Sequence, residues 1–292
     1  MGLFDKMRKA SSSNIVSEPI ANEVQQSSPV AKIDNNTNIV DLVNVTKIFG
    51  SGKNEFKLFD NLNFSIPDFK DEGQFISILG ASGCGKSQLM HLISGLQTPT
   101  SGDVIINGLP KKENQSFPMV FQQYSSFPWL NVIDNVCLPL KLRGVSKKER
   151  YERAFKIIET VGLKGHEYKW TNGLSGGQQQ RVAIARCLIE SSPIIMLDEA
   201  SSALDIKTKR ELQELLLDIY NKSEHDQTFI SVTHNIEEAV YLSNQIYIMQ
   251  ANPGRVHTTL DIDLGKNRDH NIRSSEKFIR YVQQITDIMD SF

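Results

Sequence analysis

The chain has 292 residues, 39% of them apolar and 23% charged, enough for one large or two modest domains with a real core. Lys and Arg total 32 against 34 Asp and Glu, a formal net charge of -2, so no positive surplus argues for a nucleic-acid binder. Three scattered cysteines, Cys84, Cys137 and Cys187, argue against a disulfide framework, and no apolar run approaches the roughly 18 residues of a spanning helix.

Residues 1–38 are rich in Ser, Asn, Gln and Val with one aromatic, Phe4. Such a stretch cannot bury enough apolar surface to offset ordering, and a mobile tail is expected. Its start, MGLFDKMRKA, mixes Leu3, Phe4 and Met7 with Lys6, Arg8 and Lys9; a solvated leader is the first reading, a short membrane-surface or partner-binding helix the second. Lys6 breaks the N-myristoylation pattern, and the start lacks an apolar secretory core. A cytosolic chain is expected, with any membrane connection made through a partner.

Strand-like alternation runs through Ile39–Val45 and again through Leu58–Ile66, with Phe49-Gly50-Ser51-Gly52 between them. Phe75–Leu79 reads as a buried strand that runs directly into Gly80-Ala81-Ser82-Gly83-Cys84-Gly85-Lys86-Ser87, the pattern G-x-x-x-x-G-K-[ST]. The spacing has a mechanical reason. Glycines let backbone N–H groups converge on a β-phosphate, Lys86 reaches the β- and γ-oxygens, and the Ser87 hydroxyl ligates Mg²⁺. Leu89, Leu92, Ile93 and Leu96 follow at helical spacing. Cys84 reads as a small tolerated residue rather than a redox switch.

Pro118–Phe121 is a further expected strand, ending at Gln122-Gln123, where an amide could reach a metal or an attacking water. From about Ser125 to Gly173 a mainly helical insert is expected, with Ser146–Glu149 as a capping box and Tyr151, Ala154, Phe155 and Ile158 on one face. Ser175-Gly176-Gly177 then opens a helix from Gln178 to Glu190, whose positive end suits an anion. Ile194–Leu197 is an apolar strand with Asp198-Glu199 at its C-terminal edge, where open α/β sheets bind ligands.

Asp205 can cap a helix with the stripe Leu212, Leu215, Leu216 and Ile219. Thr228–Thr233 is a strand that brings His234 to the same sheet edge, a candidate catalytic position for a side chain that elsewhere is usually structural. Gln245–Met249 and Arg255–His257 are later strands around the turn Asn252-Pro253-Gly254, and Phe278, Tyr281, Val282, Ile285 and Met289 form the face of a final helix.

In this order the segments resemble the ATP-binding-cassette (ABC) ATPases over roughly Ile39 to Met249. The resemblance rests on Gly80–Ser87, Gln122 in MVFQ, LSGGQ at Leu174–Gln178, IIMLDE at Ile194–Glu199, SALD at Ser202–Asp205, and Thr233-His234. It implies an α/β fold, a P-loop NTPase core of the ABC type with an N-terminal antiparallel β part. A helical subdomain at about 125–190 would be inserted in an ATPase domain of 39–265, and a C-terminal helix would follow in 266–292. It also implies ATP and Mg²⁺ as cofactors. Gly80, Ala81, Ser82, Gly83, Cys84, Gly85, Lys86, Ser87 and Gln88 would hold the nucleotide, with Phe49 stacked on adenine. Ser87, Gln122 and Asp198 would serve the metal, Glu199 would polarise the attacking water, and His234 would contact the γ-phosphate. Ser175, Gly176, Gly177 and Gln178 would act on the ATP of a second copy, and Asp205 would tie the two sites across the dimer interface. Gln88 stands where the family usually has Thr, and Ala200-Ser201 replaces the Pro-Phe common in importers, which bears on the stiffness of that loop.

Two shorter stretches narrow the resemblance. Phe127-Pro128-Trp129-Leu130 with Asn131–Val136, and Pro253-Gly254-Arg255-Val256, look like segments of the nitrate/sulfonate/taurine-type importer ATPases. The family resemblance implies a second ATPase subunit, expected to be a second copy with a non-identical partner cassette left open, and the subgroup implies a transmembrane permease docked near Phe127–Val136 and a substrate-binding protein, at the cytoplasmic face of the inner or plasma membrane and without nucleic acid. The alternatives are a transporter of another cargo (amino acid, metal complex or lipid) or a non-transport ABC ATPase.

Overall fold

The computed structural model describes residues 38–69, 73–123, 125–222 and 227–292. Apart from Asn38, the expected tail and its apolar–basic start lie outside the described residues. In chain order the strands are β1 (Asn38–Phe49), β2 (Phe56–Pro67), β3 (Gln74–Gly80), β4 (Ser101–Ile106), β5 (Leu109–Pro110), β6 (Met119–Val120), β7 (Ile194–Asp198), β8 (Thr228–Thr233), β9 (Gln245–Gln250) and β10 (Arg255–Asp261). The helices are α1 (Lys86–Ser94), α2 (Val132–Leu142), α3 (Lys147–Thr160), α4 (Gly176–Leu188), α5 (Ile206–Lys222), α6 (Ile236–Leu242) and α7 (Glu276–Met289).

Two sheets result. The first is antiparallel, in the order β2-β1-β4-β5, and the second runs β10-β9-β3-β8-β7-β6. In the second, β3, β6, β7, β8 and β9 are mutually parallel and only β10 is antiparallel. Every residue of β3 is buried, Gln74 and Ser77 among them, as in a central strand covered on both faces. Its side chains divide by the two-residue period of a strand. Phe75 and Leu79 join the core under helices α2 to α7, while Ile76 and Ile78 join the core shared with the first sheet and α1. Phe75 stacks on Phe229 with ring centroids 5.5 Å apart, so adjacent strands lock face to face on the helical side.

Local rules account for most element ends. Asn131, Ser146, Asn235 and Ser275 each accept a backbone N–H at the start of a helix. Gly95, in the left-handed region at φ 86°, ends α1, and its N–H reaches the His91 carbonyl. This overturns one expectation: Leu96 lies beyond the cap and is 55% exposed, off the buried stripe of α1. Phe155 is likewise 40% exposed, so the buried face of α3 is Ala154 and Ile158. Ser146 accepts the Glu149 N–H, half of a capping box, without the reciprocal bond.

The hairpin of β4 and β5 is absent from the sequence reading. Its turn is Asn107-Gly108, both at positive φ (50° and 72°), the pair that two-residue hairpins favour. Arg268 is a second feature without a sequence signal. It is buried, and its guanidinium donates to the carbonyls of Val240, Tyr241, Ser243 and Gly265, closing the C-terminal end of α6. Burial lowers its pKa to about 10.

Candidate functional site

Parallel strands in register bring their C-terminal ends to one edge. Leu79 pairs with Thr233, Asp198 with Val232, and Val120 with Leu197. The loop from Gly80 to Ser87, the pair Asp198-Glu199, and His234 therefore leave the sheet side by side. Counting on from Val120, the register carries Gln122, which is exposed, to the level of Glu199.

The loop after β3 is shaped by its glycines. Gly83 and Gly85 hold φ 82° and 101°, and a Cβ at Gly85 would fall 2.6 Å from the Phe59 ring. Lys86 opens α1 and is only 6% exposed; its ammonium donates to the carbonyls of Gly80 at 2.7 Å and Ala81 at 2.9 Å. An anion in the loop meets a cation already turned inward. Cys84 is fully buried, and burial raises its pKa against the opposing pull of Lys86, so it packs as a neutral thiol. Ala81, Ser82 and Gly83 are exposed at the loop's open side, and Gln88 follows Ser87 with its buried Oε1 unpaired within the protein.

The Ser87 hydroxyl donates to Asp198 Oδ1 at 3.0 Å, joining loop to strand edge. Burial pushes the Asp198 carboxyl above its ordinary range, with the Ser87 bond and the neighbouring His91 pulling the other way. This pair suits a hard cation, because Mg²⁺ takes oxygen ligands from one or two carboxylates and fills its shell with phosphate and water. Beside it, His234 Nδ1 lies 3.3 Å from Glu199 Oε1. Glu199 has φ 47°, in the left-handed region that a non-glycine residue rarely adopts. From that backbone its carboxylate faces His234.

Ser175, Gly176, Gly177 and Gln178 form the N-terminus of α4. Gln178 N–H donates to Ser175 Oγ and Ser175 N–H to Gln178 Oε1, a full capping box within the segment. Gly177 has a packing reason: a Cβ there would sit 2.3 Å from Thr208 Cγ2 on α5. Asp205 caps that helix, accepting the N–H groups of Lys207 and Thr208 at 3.1 Å each and the Thr208 hydroxyl at 2.7 Å, which hold its carboxyl below the usual range. Phe49 ends β1 with an exposed ring, and the Lys47 ammonium stands 5.2 Å from its centroid.

The turn Pro253-Gly254-Arg255 has a role that sequence could not supply. Gly254 is buried, its N–H donates to the Leu58 carbonyl at 2.8 Å, and a Cβ there would lie 2.6 Å from the Cys84 carbonyl in the phosphate-type loop. The turn is a buttress behind that loop. Gly254→Ala is expected to lower stability by about 1–3 kcal/mol and to weaken nucleotide binding, read by thermal unfolding and nucleotide titration. Ser201, Thr233 and Glu238, which share hydrogen bonds beneath the edge, were also missed as a group; no spacing rule separates buried Glu238 from exposed Glu237.

Comparison with known proteins places these features in context. Residues 59–202 match the family model described as ABC transporter. The chain is 42% identical over 84% of its length, and 89% of the relative's, to an uncharacterized ABC transporter ATP-binding protein of Methanocaldococcus jannaschii. It is 36% identical over 86% of its length, and 94% of the relative's, to the nitrate import ATP-binding protein NrtD of Synechocystis sp.. To the aliphatic sulfonates import ATP-binding protein SsuB of Bacillus cereus it is 37% identical over 84% of its length and 94% of that protein's. Among solved structures, a dimeric ATP-binding cassette in a post-hydrolysis state bound to ADP and phosphate superposes with a TM-score of 0.66 at 34% identity, covering 76% of this chain and 98% of that one.

Proposed function

This chain belongs to the ABC transporter family, and from that premise we propose that it is the nucleotide-binding subunit of an importer. In this reading two copies close around two ATP molecules with Mg²⁺ and drive a membrane permease that carries small anions of the nitrate or sulfonate kind. The carrying observation is the shared edge: Lys86 turned into its loop, Ser87 on Asp198, and Glu199 beside His234.

The loop from Gly80 to Gln88 would bind the phosphates, its N–H groups and Lys86 meeting their charge. Ser87 and Asp198, with Gln122, would hold Mg²⁺, which supplies charge neutralisation on the phosphate oxygens. Glu199 would accept hydrogen-bond donation from the attacking water, and His234, 3.3 Å away, would fix the carboxylate's direction and face the γ-phosphate. Catalysis of this kind is positioning and electrostatics. Phe49 offers its ring to adenine at the end of β1. Ser175 to Gln178 would meet the ATP of the partner copy, with Asp205 on the interface between them. The dimeric relative with ADP and phosphate supports that arrangement. Loss of the γ-phosphate removes the ligand that favours closure, and the pair opens.

Permease docking falls to the helical segment. Of Phe127–Val136, the residues Val132, Ile133 and Val136 are wholly buried, while Trp129 is 66% exposed. Trp170 is 57% exposed, and its backbone bridges Asn131, two residues on from Trp129. Large exposed aromatics so placed are typical interface anchors. A multispanning permease and a substrate-binding protein complete the proposed assembly at the cytoplasmic face of the membrane. The test is affinity purification of this chain from detergent-solubilised membranes of its own cells. Recovery of a multispanning permease is expected, and Trp129→Ala should reduce it about tenfold or more without changing ATP binding. Recovery of soluble partners alone, with ATPase activity intact, would favour a non-transport cassette. Transport assays with candidate anions on the recovered permease then test the cargo.

A further inference from the structure

Two hydroxyl groups from separate parts of the site converge on one buried carboxyl. Glu238 of α6 is 6% exposed; its Oε1 accepts from the Ser201 hydroxyl and its Oε2 from the Thr233 hydroxyl at 2.7 Å. Ser201 and Thr233 are themselves buried. Thr233 Oγ1 also accepts the Asn235 N–H at 3.0 Å, and Asn235 Oδ1 accepts the Glu238 N–H at 2.8 Å, which closes the first turn of α6 on the same group.

The two hydroxyls come from the segments that carry Glu199 and His234. Ser201 lies two residues beyond Glu199, and Thr233 directly precedes His234. Glu199 holds a left-handed backbone at φ 47°, a conformation that persists in a non-glycine residue only where its surroundings over-determine it. Its N–H donates to the Val232 carbonyl at 2.9 Å, and its carbonyl accepts from the Ser202 N–H at 3.0 Å and hydroxyl at 2.9 Å. The turn continues with Leu204 N–H donating to the Ser201 carbonyl at 3.2 Å. Beside the backbone bond from Glu199 to Val232, the Ser201 side chain adds a second link from that turn to the end of β8, made through Glu238 to Thr233. A phenylalanine at residue 201 would have no hydroxyl to give Glu238; Ser201 does.

We propose that Glu238 is a positioning residue: through Ser201 and Thr233 it fastens the turn bearing Glu199 to the strand end bearing His234, so that the two side chains keep their mutual geometry during ATP hydrolysis. This role rests on the functions proposed above for Glu199 and His234.

The test uses the full chain, with steady-state ATPase rates, equilibrium ATP binding and thermal unfolding on Ser201→Ala, Thr233→Val, Thr233→Ser and Glu199→Gln. Ser201→Ala and Thr233→Val are expected to lower kcat by roughly tenfold to a hundredfold, as small misplacements at a reacting centre do, with KM and the ATP Kd within about twofold of the parent. Thr233→Ser, which keeps the hydroxyl, should recover most of the loss seen in Thr233→Val. Parent-like kcat in both hydroxyl-deletion variants, with Glu199→Gln inactive, overturns the positioning role alone. So does an equal loss in Thr233→Ser and Thr233→Val, or a rate loss that tracks weakened ATP binding or unfolding, since packing then explains it. A fully active Glu199→Gln instead overturns the site reading on which the role stands.

Discussion

Glu199→Gln should reduce ATP turnover by about 10²–10⁴-fold, the range associated with removing a positioned proton acceptor, while ATP binding stays near the parent value. The substitution keeps the shape of the side chain and changes its charge. The backbone bonds that hold φ 47° at this position involve the main chain of residue 199, and those are untouched. What is lost is the carboxylate that faces His234 at 3.3 Å and would polarise water. With hydrolysis blocked and binding intact, ATP remains the ligand that favours the closed pair, and the population shifts toward it. Light scattering at saturating ATP should show the variant as a dimer that dissociates when nucleotide is removed. A variant that stays monomeric under those conditions would sink the proposed sandwich, and one that still turns over at the parent rate would remove Glu199 from the chemistry.

Lys86→Ala acts one step earlier, on binding itself. A hydrogen bond to a charged partner is worth about 1.5–3 kcal/mol, so the ATP Kd should rise roughly tenfold to a hundredfold. The Lys86 ammonium is buried against the Gly80 and Ala81 carbonyls, and alanine would leave those two acceptors without their donor as well as the phosphates without their cation. Calorimetric titration with ATP measures the change, and circular dichroism with thermal unfolding checks that the variant keeps the parent's overall fold. An unchanged Kd with depressed kcat would reassign Lys86 from holding the ground state to stabilising the transition state. The two variants together separate binding from hydrolysis at residues that follow different strands, β3 and β7, of one sheet.

Legibility varied with how local the cause was. β8 spans Thr228–Thr233, as its apolar pattern indicated, and β3 runs into its loop where the glycine pattern begins. The Asp205 cap followed from spacing, because it depends on neighbours within one turn; of the expected α5 stripe Leu212, Leu216 and Ile219 are buried, Leu215 is half-buried, and Leu217 and Tyr220 join the buried face. β4 was missed because its first three residues are exposed and only Val104 and Ile106 carry burial, too little alternation to stand out. Leu96 and Phe155 fit helical periodicity in sequence, yet a cap at Gly95 and an open face on α3 leave them toward solvent. Periodicity reports which face a side chain shares, not whether another element covers that face.

By itself the sequence determined the chemistry available at the site: a glycine loop with its lysine and serine, a carboxylate pair after an apolar strand, and a histidine after another. These are short-range statements, decided by residue type and spacing along one segment. The tertiary structure alone decided which of them meet. Strand order places β8 between β3 and β7, so residues 111 positions apart, Ser87 and Asp198, share a hydrogen bond, and Ser201 finds Glu238 across 37. Pro253-Gly254 was legible as a turn, but its place behind the loop and the partners of the Glu238 carboxyl beneath the edge have no local signature, because they arise from backbone packing and buried polar pairing between distant segments, which no single stretch of chain encodes.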